Sequence, residues 1–159
     1  MGSPMPEKNR PLLLRPVGKD YLWGGCRLND DFEKNIPLAP LAETWECSTH
    51  PDGQSSVSGG DFDGKTLAEV LKIHPEYLGL RHRGEKELPL LIKFIDAKQD
   101  LSVQVHPTDD YARLHEKGQL GKTEMWYVLD ASRERASSMA SGRTAPEKCC
   151  AGRSKREMS

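Results

Sequence analysis

Between Arg10 and Asp130 the apolar residues fall in short alternating runs separated by Gly, Pro and Asp, and helical spacing replaces the alternation only twice. Arg10–Val17 reads as extended chain and leads into a turn-rich stretch at Trp23-Gly24-Gly25. Glu43–Ser48 and Ser55–Ser58 alternate as short strands around the turn Pro51-Asp52-Gly53. Thr66, with Glu69 three residues on, makes a capping box; Leu67, Val70 and Leu71 then carry a helix that must end before Pro75. Leu90–Ala97 is an apolar strand bounded by Pro89 and the polar turn Lys98-Gln99-Asp100. Leu101–His106 is the next strand, ended by Pro107. Thr108 caps a short helix over Asp109–Lys117, stopped by Gly118. A last strand runs from Lys122 to Leu129. Closely spaced strands with few short helices predict a mainly β fold, either a sandwich or a barrel. No internal repeat is visible.

Composition divides the chain at one point. From Ser132 to Ser159 there is no Leu, Ile, Val, Phe, Trp or Tyr, while the segment holds seven Lys/Arg and three Glu. Such a stretch cannot bury enough apolar surface to offset its ordering entropy, so it is expected to be disordered. Residues 1–9 are expected to be a flexible amino terminus, and 10–131 the folded domain. Codons can be chosen for the tail so that a shifted reading frame yields a strand-like run and then a helix-like end. A frameshift near Ala131 is therefore our expectation for its origin.

With 23 basic and 24 acidic side chains in 159 residues, the net charge is −1. That balance sets up no field for nucleic acid or an anionic membrane. No run approaches the roughly 18 apolar residues of a membrane span, and the start of the chain has no secretory pattern. Cys26, Cys47, Cys149 and Cys150 form no CxxC pair and are read as reduced thiols.

The chemistry gathers in the last two predicted strands. Alternation puts Ser102, Gln104 and His106 on one face, and Leu101, Val103 and Val105 on the other. The apolar set is assigned to the core, so the polar set faces a cavity or water. On the following strand Lys122, Glu124 and Trp126 share a face by the same arithmetic. If the two polar faces converge, they offer an amide oxygen, an imidazole and a carboxylate, which are donors for a divalent cation such as Zn2+, Mn2+ or Fe2+. The same residues equally fit the solvated side of a half-buried sheet, and Lys122 beside Glu124 fits a surface ion pair.

The stretch "PLLIKFIDAKQDLSVQVHPTDDYA" followed by "GKTEMWYVLDA" resembles type I phosphomannose isomerases in their shorter bacterial form. "YLWGG" at Tyr21–Gly25 and "ETWECSTHPDGQS" at Glu43–Ser55 are similar to amino-terminal segments of the same family. The resemblance covers residues 10–131. It implies a partial, cupin-like β-barrel of jelly-roll type, incomplete at the carboxyl end. It also implies a zinc-dependent cytoplasmic enzyme that interconverts mannose 6-phosphate and fructose 6-phosphate. On that resemblance Gln104, His106 and Glu124 are zinc ligands, and a further His lies beyond the matching region. Ser102 and Lys122 line the pocket for the sugar phosphate, with Lys122 the candidate catalytic group. The longer family members read Asn-His-Lys-Pro-Glu where this chain reads Leu120-Gly121-Lys122-Thr123-Glu124, so only the Lys and Glu carry over.

None of His50, His74, His82 and His115 supplies the missing ligand; each is read as a surface residue. The resulting expectation is a truncated isomerase fragment, inactive alone. The alternative is a short cupin-like module that binds metal or sugar phosphate without catalysis.

Overall fold

The computed structural model describes residues 10–82, 85, 88–117 and 121–131. The expectations for residues 1–9, for 132–159 and for a helix stop at Gly118 lie outside them. The chain divides into two units, Met1–Asp100 and Leu101–Ser159.

In the first unit β1 (Leu14–Arg15) pairs antiparallel with β4 (Ser56–Val57). A separate antiparallel sheet has the order β2 (Val17–Lys19), β3 (Glu43–Cys47), β5 (Ile92–Ile95). The extended run predicted over Arg10–Val17 is thus shared between two sheets. Pro16 stands at the break, where its missing N–H cannot join a ladder. β3 is the central strand, with Glu43, Thr44 and Trp45 all buried. A register shift between Trp45 and Cys47 bends its pairing with β5. Gly24 makes an isolated bridge to Ala97. A side chain at Gly24 would begin 2.5 Å from Cα and Cβ of Ala42, so only glycine lets this loop close.

Two helices join these strands, α1 (Arg27–Asp30) and α2 (Leu67–Ile73). α2 starts where the capping box predicts. The Thr66 hydroxyl accepts from Glu69 N at 3.2 Å, and the Glu69 carboxylate accepts from Thr66 N at 2.8 Å. Leu67, Val70 and Leu71, spaced for one helical face, are all buried. Leu67 and Leu71 pack with Leu78 from the 3₁₀ turn Pro75–Leu78, and Leu12, Leu14, Cys47 and Tyr77 surround them.

The second unit departs from expectation. Its regular element among the described residues is α3 (Asp109–His115), capped by the Thr108 hydroxyl. It ends two residues before the predicted Lys117, because Lys117 itself takes a left-handed φ of 55°. Leu101–His106 and Lys122–Leu129 do not form strands. Alternation sets the faces of an extended segment, but a strand also needs a neighbour for its backbone groups. Neither segment has a ladder partner among the described residues. Val103 and Val105, assigned above to the core, are 75% and 91% exposed. Overall the chain is mainly β with a few short helices, and its strands close no barrel among the described residues.

Candidate functional site

Pro107 keeps His106 extended, and Thr108 then turns the chain into α3. On returning, the chain is tied to that same turn. Gly121 N donates to Asp109 Oδ1 at 2.8 Å, and Lys122 N donates to the Pro107 carbonyl at 3.3 Å. Three residues further, Glu124 Oε2 lies 2.7 Å from His106 Nε2. Lys122 Nζ sits 3.3 Å from the other carboxylate oxygen, Oε1. The His106 and Glu124 side chains are 27% and 19% exposed, Lys122 46%.

Burial pushes the Glu124 carboxyl up. The hydrogen bond with His106, the Lys122 charge, a hydrogen bond from the Trp126 side chain and one from Lys122 together outweigh it, and the net shift is downward. The carboxylate is therefore held in its anionic form, the form in which it can ligate a cation.

Of the five residues singled out by sequence, the structure brings together His106, Glu124 and Lys122. Ser102 and Gln104 are exposed and join no hydrogen bond of this cluster. Among the described residues no group of three His, Cys, Asp or Glu side chains could hold a metal ion. His106 and Glu124 are two donors of those types; Gln104 would bring an amide. Trp126 belongs to the cluster although no role was assigned to it, and the two-residue period that selects Lys122 and Glu124 also selects it. Asp109 and Gly121 had no such signal, since a side-chain bond across a loop leaves no periodicity.

The other histidines sit at or near the surface. His50 lies edge-on to Trp45, His74 is partnered with Glu76, His82 with Glu85, and His115 packs on Tyr111. Cys26 and Cys47 are free thiols.

A second buried carboxylate lies in the first unit. Glu43 accepts from Trp45 Nε1 at 2.7 Å and from Lys93 Nζ at 3.0 Å, with its side chain 7% exposed. Burial raises the Tyr21 phenol, and the charge of Glu43 raises it further. Tyr21 stacks on Trp23 with ring centroids 5.6 Å apart.

Residues 12–133 match the family described as phosphomannose isomerase type I, catalytic domain. The chain is 54% identical over 120 residues to a probable mannose-6-phosphate isomerase, GmuF, of Bacillus subtilis, covering 76% of this chain and 38% of that protein. It is 46% identical over 124 residues to the mannose-6-phosphate isomerase ManA of the same organism, covering 78% and 38%. The crystal structure of mannose 6-phosphate isomerase from B. subtilis superposes with a TM-score of 0.71 at 44% identity, over 77% of this chain and 38% of that one. The chain thus spans well under half the length of these relatives. With the family match extending over most of its residues, this chain belongs to the type I phosphomannose isomerases.

Proposed function

We propose that the chain provides part of the site of a zinc-dependent aldose–ketose isomerase that interconverts mannose 6-phosphate and fructose 6-phosphate in the cytoplasm. The fold carrying it would be part of a cupin-like barrel. The observation that carries the reading is the His106–Glu124 contact: an imidazole and a carboxylate, 18 residues apart, meet at 2.7 Å beside a lysine.

The donor chemistry fits zinc. His106 Nε2 and Glu124 Oε2 are a nitrogen and a charged oxygen of the kinds zinc prefers, and Gln104 would add an amide oxygen. Held this way by three protein groups, the metal would polarise the substrate oxygens and stabilise negative charge developing on them.

Aldose–ketose exchange moves a proton between C1 and C2 through an enediol, so the remaining tasks are proton transfer and phosphate binding. Lys122, its side chain 46% exposed, can turn from Glu124 toward a phosphate or an enediolate oxygen. Ser102, which is exposed, can donate its hydroxyl to the phosphate. Glu124, kept anionic, serves as a metal donor beside His106 rather than taking the proton itself. These residues supply binding groups, and none of them is assigned the base that moves the proton between C1 and C2, so we assign them no turnover alone.

The test measures zinc bound by the 159-residue chain and by His106→Ala, together with conversion of mannose 6-phosphate. One bound zinc that disappears in the variant, without turnover in either, is the expected outcome. Zinc binding indifferent to His106→Ala would remove the metal assignment, and turnover by the chain alone would remove the assignment of inactivity. In a full-length relative, replacing the residue that aligns with Lys122 should lower kcat/KM; unchanged kinetics would withdraw the role of Lys122.

A further inference from the structure

We propose that Asp109 and Gly121 are positioning residues, forming a clasp that sets Glu124 opposite His106. The proposal rests on the reading of His106 and Glu124 as metal donors.

The two donors lie on segments that have no ladder between strands among the described residues. Register in a sheet comes from laddered backbone bonds and packed faces, and among the described residues these segments form no such ladder. Two bonds do that work instead. Asp109 Oδ1 accepts from Gly121 N at 2.8 Å, and the Pro107 carbonyl accepts from Lys122 N at 3.3 Å. Both lie at the point where the chain returns beside the residue following His106. From there an extended chain advances about 3.3 Å per residue, so Glu124 is about 10 Å away and inherits any error made at Gly121.

Close packing reinforces the bonds. A Cβ at Gly121 would lie 2.5 Å from the Pro107 oxygen and 2.6 Å from Asp109 N and Thr108 C. These are backbone atoms at the capped start of α3, with Thr108 Oγ1 already accepting from Tyr111 N. A methyl group there must push the returning segment away rather than shift a flexible side chain.

An acidic residue in the first turn of a helix also suits the helix dipole, and Asp110 beside it has the same merit. The two explanations of Asp109 separate chemically. Asp109→Asn keeps the accepting oxygen and loses the charge. Asp109→Glu keeps the charge but moves the oxygens out by one methylene.

The experiment titrates Zn2+ into the 159-residue chain and into Asp109→Asn, Asp109→Glu and Gly121→Ala. It also follows amide hydrogen exchange without metal, with the melting temperature as a folding control. The clasp predicts affinity near the parent's in Asp109→Asn, and about tenfold or more weaker in Asp109→Glu and Gly121→Ala, the scale on which outer partners affect metal sites. Exchange at the Gly121 and Lys122 amides should quicken in Asp109→Glu and stay slow in Asp109→Asn, with melting unchanged. Parent-like zinc affinity and exchange in Asp109→Glu would overturn the proposal, as would a loss in Asp109→Asn equal to that in Asp109→Glu. A parent chain that binds no zinc would sink the metal reading alone. The clasp would then stand or fall on the exchange rates, which need no metal.

Discussion

Glu124 and Glu43 face the same difficulty and meet it with the same kinds of partner. Each carboxylate is mostly buried, each has a tryptophan two residues on (bonded at 2.7 Å in the case of Glu43), and each has a lysine at about 3 Å. In extended chain, residues i and i+2 share a face, so Glu-x-Trp brings an indole N–H to the carboxylate without help from a distant element. At Glu43 the device is structural. Glu43→Ala should lower stability by about 2–4 kcal/mol, because Trp45 Nε1 and the Lys93 ammonium lose their acceptor. Glu43→Gln should cost less, since an amide oxygen still accepts from the indole; denaturant unfolding of the two variants measures the difference. At Glu124 the consequence is a pH dependence. Burial raises its pKa but the partners lower it by more, so the folded value lies below the ordinary 4.5. Stability from this carboxylate is then complete above about pH 4.5 and is lost as pH falls through the lower folded value. Melting followed from neutral to acid pH should show a loss in that range that Glu124→Gln lacks. Equal acid limbs in the two proteins would contradict it.

Elements whose stabilising signal is local were legible in the sequence. The Thr66–Glu69 box starts α2 as expected, and Thr66→Ala should cost about 1 kcal/mol by freeing the Glu69 amide. Thermal melting of the variant checks it, and no change would mean that packing of Leu67 and Leu71 alone sets the helix. β3, β4 and β5 also lie within their predicted runs. The alternation over Leu101–His106 and Lys122–Leu129 was equally clear, but it specifies only faces. Whether a strand forms depends on a neighbour that local sequence does not encode. The same limit applied at the site. Period two selected Glu124 and its neighbours Lys122 and Trp126, and it offered His106 from the other segment. It could not say that Ser102 and Gln104 would stay outside the bonded cluster. Nor could it register Gly121 and Asp109, whose bond crosses 12 residues of chain.

At the scale of the whole molecule, burial is divided unevenly between the two units. Of ten buried apolar residues among those described, nine belong to residues 1–100, and Ala112 alone belongs to the second unit. Cooperative unfolding should therefore report the first unit, because stability follows the apolar surface removed from water. Two valines make the contrast sharp. Val57 is 1% exposed, whereas Val105 is 91% exposed although the alternation of its segment points to a core position. Val57→Ala should cost about 2 kcal/mol through lost burial and a residual cavity. Val105→Ala should stay within about 0.5 kcal/mol of the parent, as exposed substitutions do. His106→Ala should likewise leave the main transition in place while altering metal content. Chemical denaturation of the three variants under one condition reads all of this. A cost for Val105→Ala matching that for Val57→Ala would mean that residues 101–106 pack as a strand after all. Their alternation would then be a better guide to this region than its exposed arrangement, and Ser102 and Gln104 would have to be placed again on the face opposite that core.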